Sequence, residues 1–327
     1  MMVKGLDRYK VIVSAGMPTS VKMVALRVSM ATGWQFRPNP FEKRDWDYMV
    51  YVSDPRIDSW FVGRSFPPNR VIMYLVSEGP VRTPLTKAVN KQIVVTPTEF
   101  VKKMFELKGV HVYGVIPHGI EVPEKVKPVT EKNGFYYRAY YLERKYPKYG
   151  LQALEEYVKR YGSQDFDIWL VGDPFTQDYF LQARFPFMKI KNPLTPDELR
   201  QLYDNHLFFL NLSDAEGFGL QPLEAMAYGE IVITAYYPAI REYLPVDCNI
   251  AVGIKRYWLE KLDYEYILHA EYSPEDYLKA MEIAREMALH DREMLAKWSE
   301  CNRKVASKYD YRLVYQAFVE LIANLRR

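Results

Sequence analysis

Short apolar runs alternate along the whole chain with stretches whose apolar positions recur at helical spacing. In the first half YKVIVSAG (9–16), WDYMVYVSD (46–54), RVIMYLVSEG (70–79), KQIVVTP (91–97) and VYGVIPHG (112–119) read as strands, with TEFVKKMFELKG as the clearest helix between them. In the second half GFYYRAYYL, FDIWLVGD, MKIKN, HLFFLNLSD and EIVITAY supply strands, and helices are expected near 150–161, 196–204, 220–228 and 275–306. Strands in regular alternation with helices predict parallel sheets covered on both faces. A Pro- and charge-rich segment, EVPEKVKPVTEKNG (121–134), divides the two halves and sets expected domains of 1–124 and 125–310. No internal repeat or low-complexity tract interrupts the pattern.

Composition narrows this picture only in part. A chain of 327 residues accommodates two domains, since one domain takes ~100–200 residues. Lys and Arg total 44 against 41 Asp and Glu, and a net charge of +3 argues against a dedicated nucleic-acid protein. Cys248 and Cys301 lie far apart without CxxC spacing, which argues against a zinc site or a disulfide framework and suits a reducing compartment. No apolar run approaches the ~20 residues that span a bilayer, and no leader pattern opens the sequence. A cytoplasmic protein is expected. Twenty-seven tyrosines and dense charge of both signs point to a heat-adapted source.

The chemistry concentrates between 206 and 244. The apolar run HLFFLNL ends at Ser213 and Asp214, and Gly217 and Gly219 then permit backbone forms closed to other residues and let another molecule approach the main chain. A helix follows, with Pro222 near its start, Leu220, Leu223, Met226 and Ala227 as its apolar stripe, and Gly229 as its stop. Glu224 is expected in the first turn, where the helix dipole favours a carboxylate that accepts two neighbouring hydroxyls of a ribose. Glu216 and Glu224 bracket the loop with seven residues between them.

These residues resemble a known family, the retaining family 4 glycosyltransferases of GT-B fold, whose second domain carries EGFG-x-P-x-E-A-M-A-x-G. The chain reads Glu216, Gly217, Phe218, Gly219, Leu220, Gln221, Pro222, Leu223, Glu224, Ala225, Met226, Ala227, Tyr228, Gly229. VIPHGI (115–120) is similar to the family's V-I-P-N-G-V segment, with His118 in the asparagine's place, and IWLVGD (168–173) is similar to its V-G-D strand. The resemblance implies an α/β, GT-B chain of two Rossmann-like domains facing across a cleft, with an acceptor domain first, a donor domain second, and a C-terminal helix (311–327) crossing back onto the first. It implies a retaining transferase that takes a nucleoside diphosphate sugar and needs no metal or other cofactor. Glu224 would bind the ribose, Glu216 would position the sugar, and Gly217, Phe218, Gly219 and Leu220 would line the donor site. An arginine and a lysine of YYRAYYLERKYPKYGLQALEEY would stabilise the leaving diphosphate. Strand position favours Arg138, the start of the next helix favours Lys148, and Lys145 and Arg144 remain candidates.

In the first domain Gly16 is placed to offer an amide to the phosphates, while His118 and Glu78 are acceptor-side candidates. The family's histidine at the end of a later strand has no counterpart here, because Ser77 and Glu78 stand in YLVSEG. Trp34, Phe36, Arg37, Lys43, Arg44, Trp46, Trp60 and Arg64 are candidates for docking sugars or a membrane face. DWD (45–47) formally spells a metal-binding triad but precedes a strand instead of following one. The expected partners are a nucleotide sugar and a carbohydrate, lipid-linked or protein acceptor, with possible peripheral membrane contact and no nucleic acid. An epimerase, a phosphorylase or a non-catalytic sugar-nucleotide binder are the alternatives.

Overall fold

The computed structural model of the protein describes residues 9–16, 19–140, 143–145, 147–171, 185–186, 189–190 and 194–325. The expected strand segment MKIKN and the Gly172–Asp173 end of IWLVGD lie largely outside them, as do Met17 and Pro18.

Among the described residues the apolar runs form two parallel six-stranded sheets. The first contains β1 (Val11–Ala15), β2 (Gln35–Phe36), β3 (Tyr48–Ser53), β4 (Val71–Leu75), β5 (Ile93–Thr96) and β6 (Val112–Val115), in the order β2-β1-β3-β4-β5-β6. The second contains β7 (Phe135–Tyr140), β8 (Phe166–Val171), β9 (Lys189–Ile190), β10 (Phe208–Asn211), β11 (Ile231–Ala235) and β12 (Ile250–Val252), in the order β12-β11-β10-β7-β8-β9. Central strands such as β1, β4, β10 and β11 are buried at every position, as parallel strands covered by helices on both faces must be. The covering helices are α1 (Thr19–Thr32), α2 (Ile57–Ser65), α3 (Thr83–Val89), α4 (Glu99–Glu106), α5 (Lys148–Tyr161), α6 (Pro196–Asn205), α7 (Leu220–Ala227), α8 (Pro274–His290) and α9 (Arg292–Ala306), followed by α10 (Tyr311–Val314) and α11 (Gln316–Asn324).

Each sheet reverses its winding once, between β1 and β3 and between β7 and β10. Loops leaving neighbouring strands diverge at such a point and open a crevice beyond their carboxyl ends. The glycine loop after β10 and the cationic loop after β7 therefore meet at the second domain's switch point.

The expected helix over 275–306 is two helices. Asp291 ends α8, and its side chain accepts the amide of Met294 to cap α9. The C-terminal helix α11 lies on the first domain, with Phe318 and Ile322 packed among Val13, Val28 and Tyr74. Gln316 Nε2 donates to the Ala31 carbonyl at 2.8 Å.

One element was not foreseen. Strands β13 (Ile254–Lys261) and β14 (Tyr266–Tyr272) form an antiparallel ribbon outside both sheets. Its residues mix charge with aromatics, and no clean two-residue alternation announces it. The ribbon reaches across to the first domain and lies along residues 78–82, where Tyr266 N donates to Pro80 O at 2.7 Å, Leu268 N to Glu78 O at 3.1 Å and Arg82 N to Tyr264 O at 2.8 Å. Glu242 makes a second bridge, its carboxylate accepting the Glu99 and Phe100 amides at 2.9 and 2.7 Å at the start of α4.

The cysteine expectation is corrected. Cys248 and Cys301 form a disulfide, with Cα atoms 6.3 Å apart and 53 residues of separation. Spacing along the chain did not reveal it because the approach is tertiary: α9 lies beside the turn that precedes β12. Next to the bridge Asn249 Nδ2 donates to Asn302 Oδ1 at 2.7 Å and Asn302 Nδ2 to the Glu230 carbonyl at 2.8 Å.

Candidate active site

Glu224 is the hub of the crevice. Arg27 of α1 donates to its Oε1 at 2.9 Å, Tyr203 of α6 donates to its Oε2 at 3.0 Å, and Arg138 of β7 stands 3.8 Å from the same oxygen. Burial works against the Arg27 charge, but the Glu224 carboxylate outweighs it and raises the guanidinium pKa. The first-turn placement is corrected: α7 begins at Leu220 and carries no acid in its first turn, so Glu224 is held by these cations and the phenol more than by the helix dipole. A carboxylate offers about four acceptor positions, so two protein donors leave room for ribose hydroxyls.

Glu216 is the second carboxylate, on the loop that leaves β10. It is buried, and Lys145 Nζ contacts its Oε1 directly. Burial pushes the Glu216 pKa up, but Lys145 and Arg144 together overcome it and the net shift is downward. Lys145 is itself lowered, first by burial and then by Arg144, against the opposing pull of Glu216. The Glu216 carboxylate, served by two cations, holds its charge, and the pair with Lys145 is ionic. Arg144 spans the cleft, with Nη2 at 2.7 Å from Glu78 Oε1 of the first domain and Nη1 donating to the Ala215 carbonyl at 3.1 Å.

The glycines of the loop have distinct tasks. Gly219 takes φ +88°, the left-handed region, and caps α7 while its carbonyl accepts from Tyr243 Oη at 2.7 Å. Gly217 is required by the first domain: a Cβ there would stand 2.4 Å from the Ser77 carbonyl oxygen. Leu220 opens α7, partly exposed.

Other candidates are placed elsewhere. Lys148 is exposed at the start of α5, three residues beyond the lysine that meets Glu216. Phe218 is 3% exposed, its ring 5.0 Å from His118 and 5.5 Å from Tyr243, in the packing between domains. His118 is equally enclosed, with Nδ1 2.7 Å from Tyr74 Oη, and burial followed by Arg27 drops its pKa to about 3. It is a neutral packing ring at physiological pH, not a proton carrier in the cleft. Gly16 donates its amide to the Val52 carbonyl at 2.9 Å, and a Cβ there would meet Asp58 and Ser53, so the close approach it permits is internal. The acids of the DWD segment are engaged within the protein: Asp45 accepts from Arg37 at 2.6 Å and Asp47 accepts from the Lys10 backbone amide at 2.9 Å.

Sequence reasoning missed Arg27 and Tyr203. Arg27 did leave a trace, as the one charge in the apolar stretch MVALRVSM of α1; Tyr203 left none, because its role depends on how α6 packs against α7.

The chain is similar to known proteins in sequence and in fold. Residues 132–253 match the family model described as Glycosyl transferases group 1. Two candidate glycosyltransferases of the Sulfolobus islandicus filamentous virus, numbers 63 and 41, are similar to the chain. The first is 28% identical over 49% of this chain and 55% of its own length, the second 31% identical over 40% and 35%. The chain thus spans about half the length, or less, of these relatives. Among solved structures, Anabaena HepE in complex with UDP and glucose superposes with a TM-score of 0.69 at 14% identity, over 96% of this chain and 100% of that one. Sucrose-phosphate synthase from Thermosynechococcus elongatus gives 0.68 at 13% identity, over 97% and 99%. WaaG, a glycosyltransferase involved in lipopolysaccharide biosynthesis, gives 0.66 at 11% identity, over 95% and 99%. The fold is GT-B, and residues 132–253 of its second domain are similar to the glycosyl transferases group 1.

Proposed function

We propose that this protein is a retaining glycosyltransferase that moves a sugar from a nucleoside diphosphate donor to an acceptor hydroxyl without a metal ion. The observation that carries the reading is the pair of carboxylates that bracket the glycine loop at the switch point: Glu224 is held by Arg27 and Tyr203 with Arg138 3.8 Å away, and Glu216 is held by Lys145. Glu224 accepts the ribose hydroxyls. Lys145, with Arg144 beside it, and Arg138 supply cations for the diphosphate as negative charge develops on it. These fixed cations supply the charge that a metal supplies in other diphosphate sites. Glu216 orients the sugar hydroxyls, and a donor phosphate oxygen takes the acceptor proton on the face the leaving group vacates.

The test follows the anomeric proton by NMR during turnover of the accepted sugar nucleotide in EDTA. An α-linked donor is expected to give an α-linked product at an undiminished rate. An inverted product, or activity restored only by a divalent cation, overturns this part. Turnover that requires free phosphate instead of an acceptor selects the phosphorylase alternative.

For the acceptor we propose a carbohydrate or lipid-linked hydroxyl offered at an anionic membrane face. A groove of about 370 Å³ between α2 and α3 is lined by Trp60, Arg64, Lys87 and Lys91, and Ile57 and Phe61 beside it are 48% and 49% exposed. Basic side chains interleaved with exposed aromatics suit the interface of a bilayer carrying anionic lipids. No helix among the described residues is long and apolar enough to cross a membrane. Co-sedimentation with phosphatidylglycerol vesicles, lost at high salt and in Arg64→Glu/Lys87→Glu, is the expected result; equal pelleting with phosphatidylcholine alone contradicts it. We place the enzyme on the cytoplasmic side, where an intracellular disulfide has precedent in hyperthermophiles and agrees with the charge-dense composition.

A further inference from the structure

The ribbon of β13 and β14 is joined to the glycine loop by one histidine. His269, on β14, is nearly buried and contacts two carboxylates at once: Nδ1 lies 2.9 Å from Asp214 Oδ1 and Nε2 lies 2.9 Å from Glu260 Oε2 on β13. Trp258 stacks flat on the ring, with centroids 4.7 Å apart and planes inclined by 8°. Asp214 is the third residue of the loop that leaves β10 and presents Glu216, and that loop is tied down around it. The Asp214 carbonyl accepts the Ala270 amide at 2.8 Å, its amide donates to the Arg144 carbonyl at 3.0 Å, and its Oδ2 accepts from Tyr149 Oη at 2.7 Å. The same ribbon is hydrogen-bonded to residues 78–82 of the first domain. His269 therefore stands where the interdomain strap meets the loop carrying the candidate catalytic carboxylate.

We propose that His269 is a positioning residue: it pins the Asp214–Gly219 loop to the ribbon and so fixes where Glu216 stands for the donor. The proposal rests on the glycosyltransferase reading for its effect on rate, but not for its effect on the loop. It makes the loop sensitive to pH. Only an imidazolium donates from both nitrogens, one N–H to each carboxylate, so the single added proton decides whether both are served. Burial lowers the His269 pKa, Asp214 and Glu260 raise it, and the carboxylates prevail. The other titratable or charged groups that act on this spot among the described residues are Tyr149 of α5, the buried Arg144 guanidinium of the loop after β7, Tyr237, Tyr272 of β14 and the Arg256–Glu271 pair of the ribbon. A histidine raised on folding stabilises the native arrangement fully below 6.5, and that contribution is lost as pH climbs through the folded-state pKa. Neutral His269 keeps one donor, and one of the two carboxylates then faces a lone pair.

The experiment compares wild type with His269→Gln and Glu260→Gln by amide hydrogen exchange and by kcat against pH. Exchange of amides 214–219, corrected for intrinsic rate, is expected to quicken at least fivefold in wild type as pH rises above the His269 pKa, read from the ring protons by NMR. In His269→Gln it is expected to be quick at every pH, with exchange in β1 and β4 unchanged. kcat should fall through the same step in wild type, while His269→Gln sits on a low plateau without it and KM for the donor moves less than kcat. Glu260→Gln, altered on an exposed strand, should shift the step to lower pH without erasing it. A His269→Gln protein that keeps the wild-type exchange rates and pH step overturns the proposal. If the loop loosens as described but wild type turns over no donor, the pin stands and the transferase reading fails.

Discussion

Replacing Lys145 by methionine is expected to lower kcat by ~10²–10³-fold, the loss seen when one fixed group is removed from a site where charge develops in the transition state. Two effects superpose in this variant. The leaving diphosphate loses its nearest cation, and Glu216 becomes a buried carboxylate served only by Arg144 and local hydroxyls. Leaving one partner of a buried pair uncompensated costs about 3–5 kcal/mol of stability, so the melting temperature should fall as well. Lys145→Met/Glu216→Gln separates the two, because a neutral amide needs no counter-charge. It is expected to recover most of the melting temperature and none of the rate. Steady-state rates with thermal unfolding of both variants check this, and a double variant that regains the rate would take both Lys145 and Glu216 out of the chemistry. Lys148→Met, on the exposed start of α5, is the control and should leave both quantities near wild type.

Glu224→Ala is expected to act chiefly on donor binding. Hydrogen bonds to a charged group contribute about 1.5–3 kcal/mol each, and a factor of ten corresponds to about 1.4 kcal/mol. Loss of the ribose contacts should therefore weaken nucleotide affinity by ~10²-fold, while kcat at saturation changes less. The variant also leaves Arg27 and Arg138 without the carboxylate between them, and Arg27 is the side chain through which α1 of the first domain reaches α7 of the second. Glu224→Gln retains a hydrogen-bonding shape for Tyr203 but not the charge, and is expected to fall between wild type and alanine. Calorimetric titration with the nucleoside diphosphate is the measurement, and unchanged affinity in both variants would remove Glu224 from the donor site.

Legibility in the sequence followed the range of the interactions. The strands β1, β4, β10 and β11 were readable because a strand covered on both faces is a continuous apolar run, and α7 was readable from its glycines and its stripe. Glu216 and Glu224 stood out as candidates for the same reason, since their spacing is local. What chain position could not supply was the partner of each charge. Arg138, Lys145 and Lys148 are close in sequence, yet the structure puts one against Glu224, one on Glu216 and one in solvent. Arg27 lies 197 residues from its partner and the two cysteines meet across 53. The ribbon was missed because neither face of β13 is buried, so its composition carries no burial period. His118 and Phe218 show the converse: residues inside a family-like segment that tertiary packing has turned into an interdomain contact.

The central claim is that the crevice at the β7–β10 switch point holds a nucleoside diphosphate. The most direct measurement is a thermal-shift screen of the wild-type protein against UDP, GDP and ADP and their sugars, with and without EDTA, with Glu224→Ala in parallel. A ligand that binds only the native state raises its melting temperature. The account predicts a selective shift from one nucleotide and its sugar that is indifferent to EDTA and absent from Glu224→Ala; no shift from any of them, or an equal shift in the variant, would contradict it.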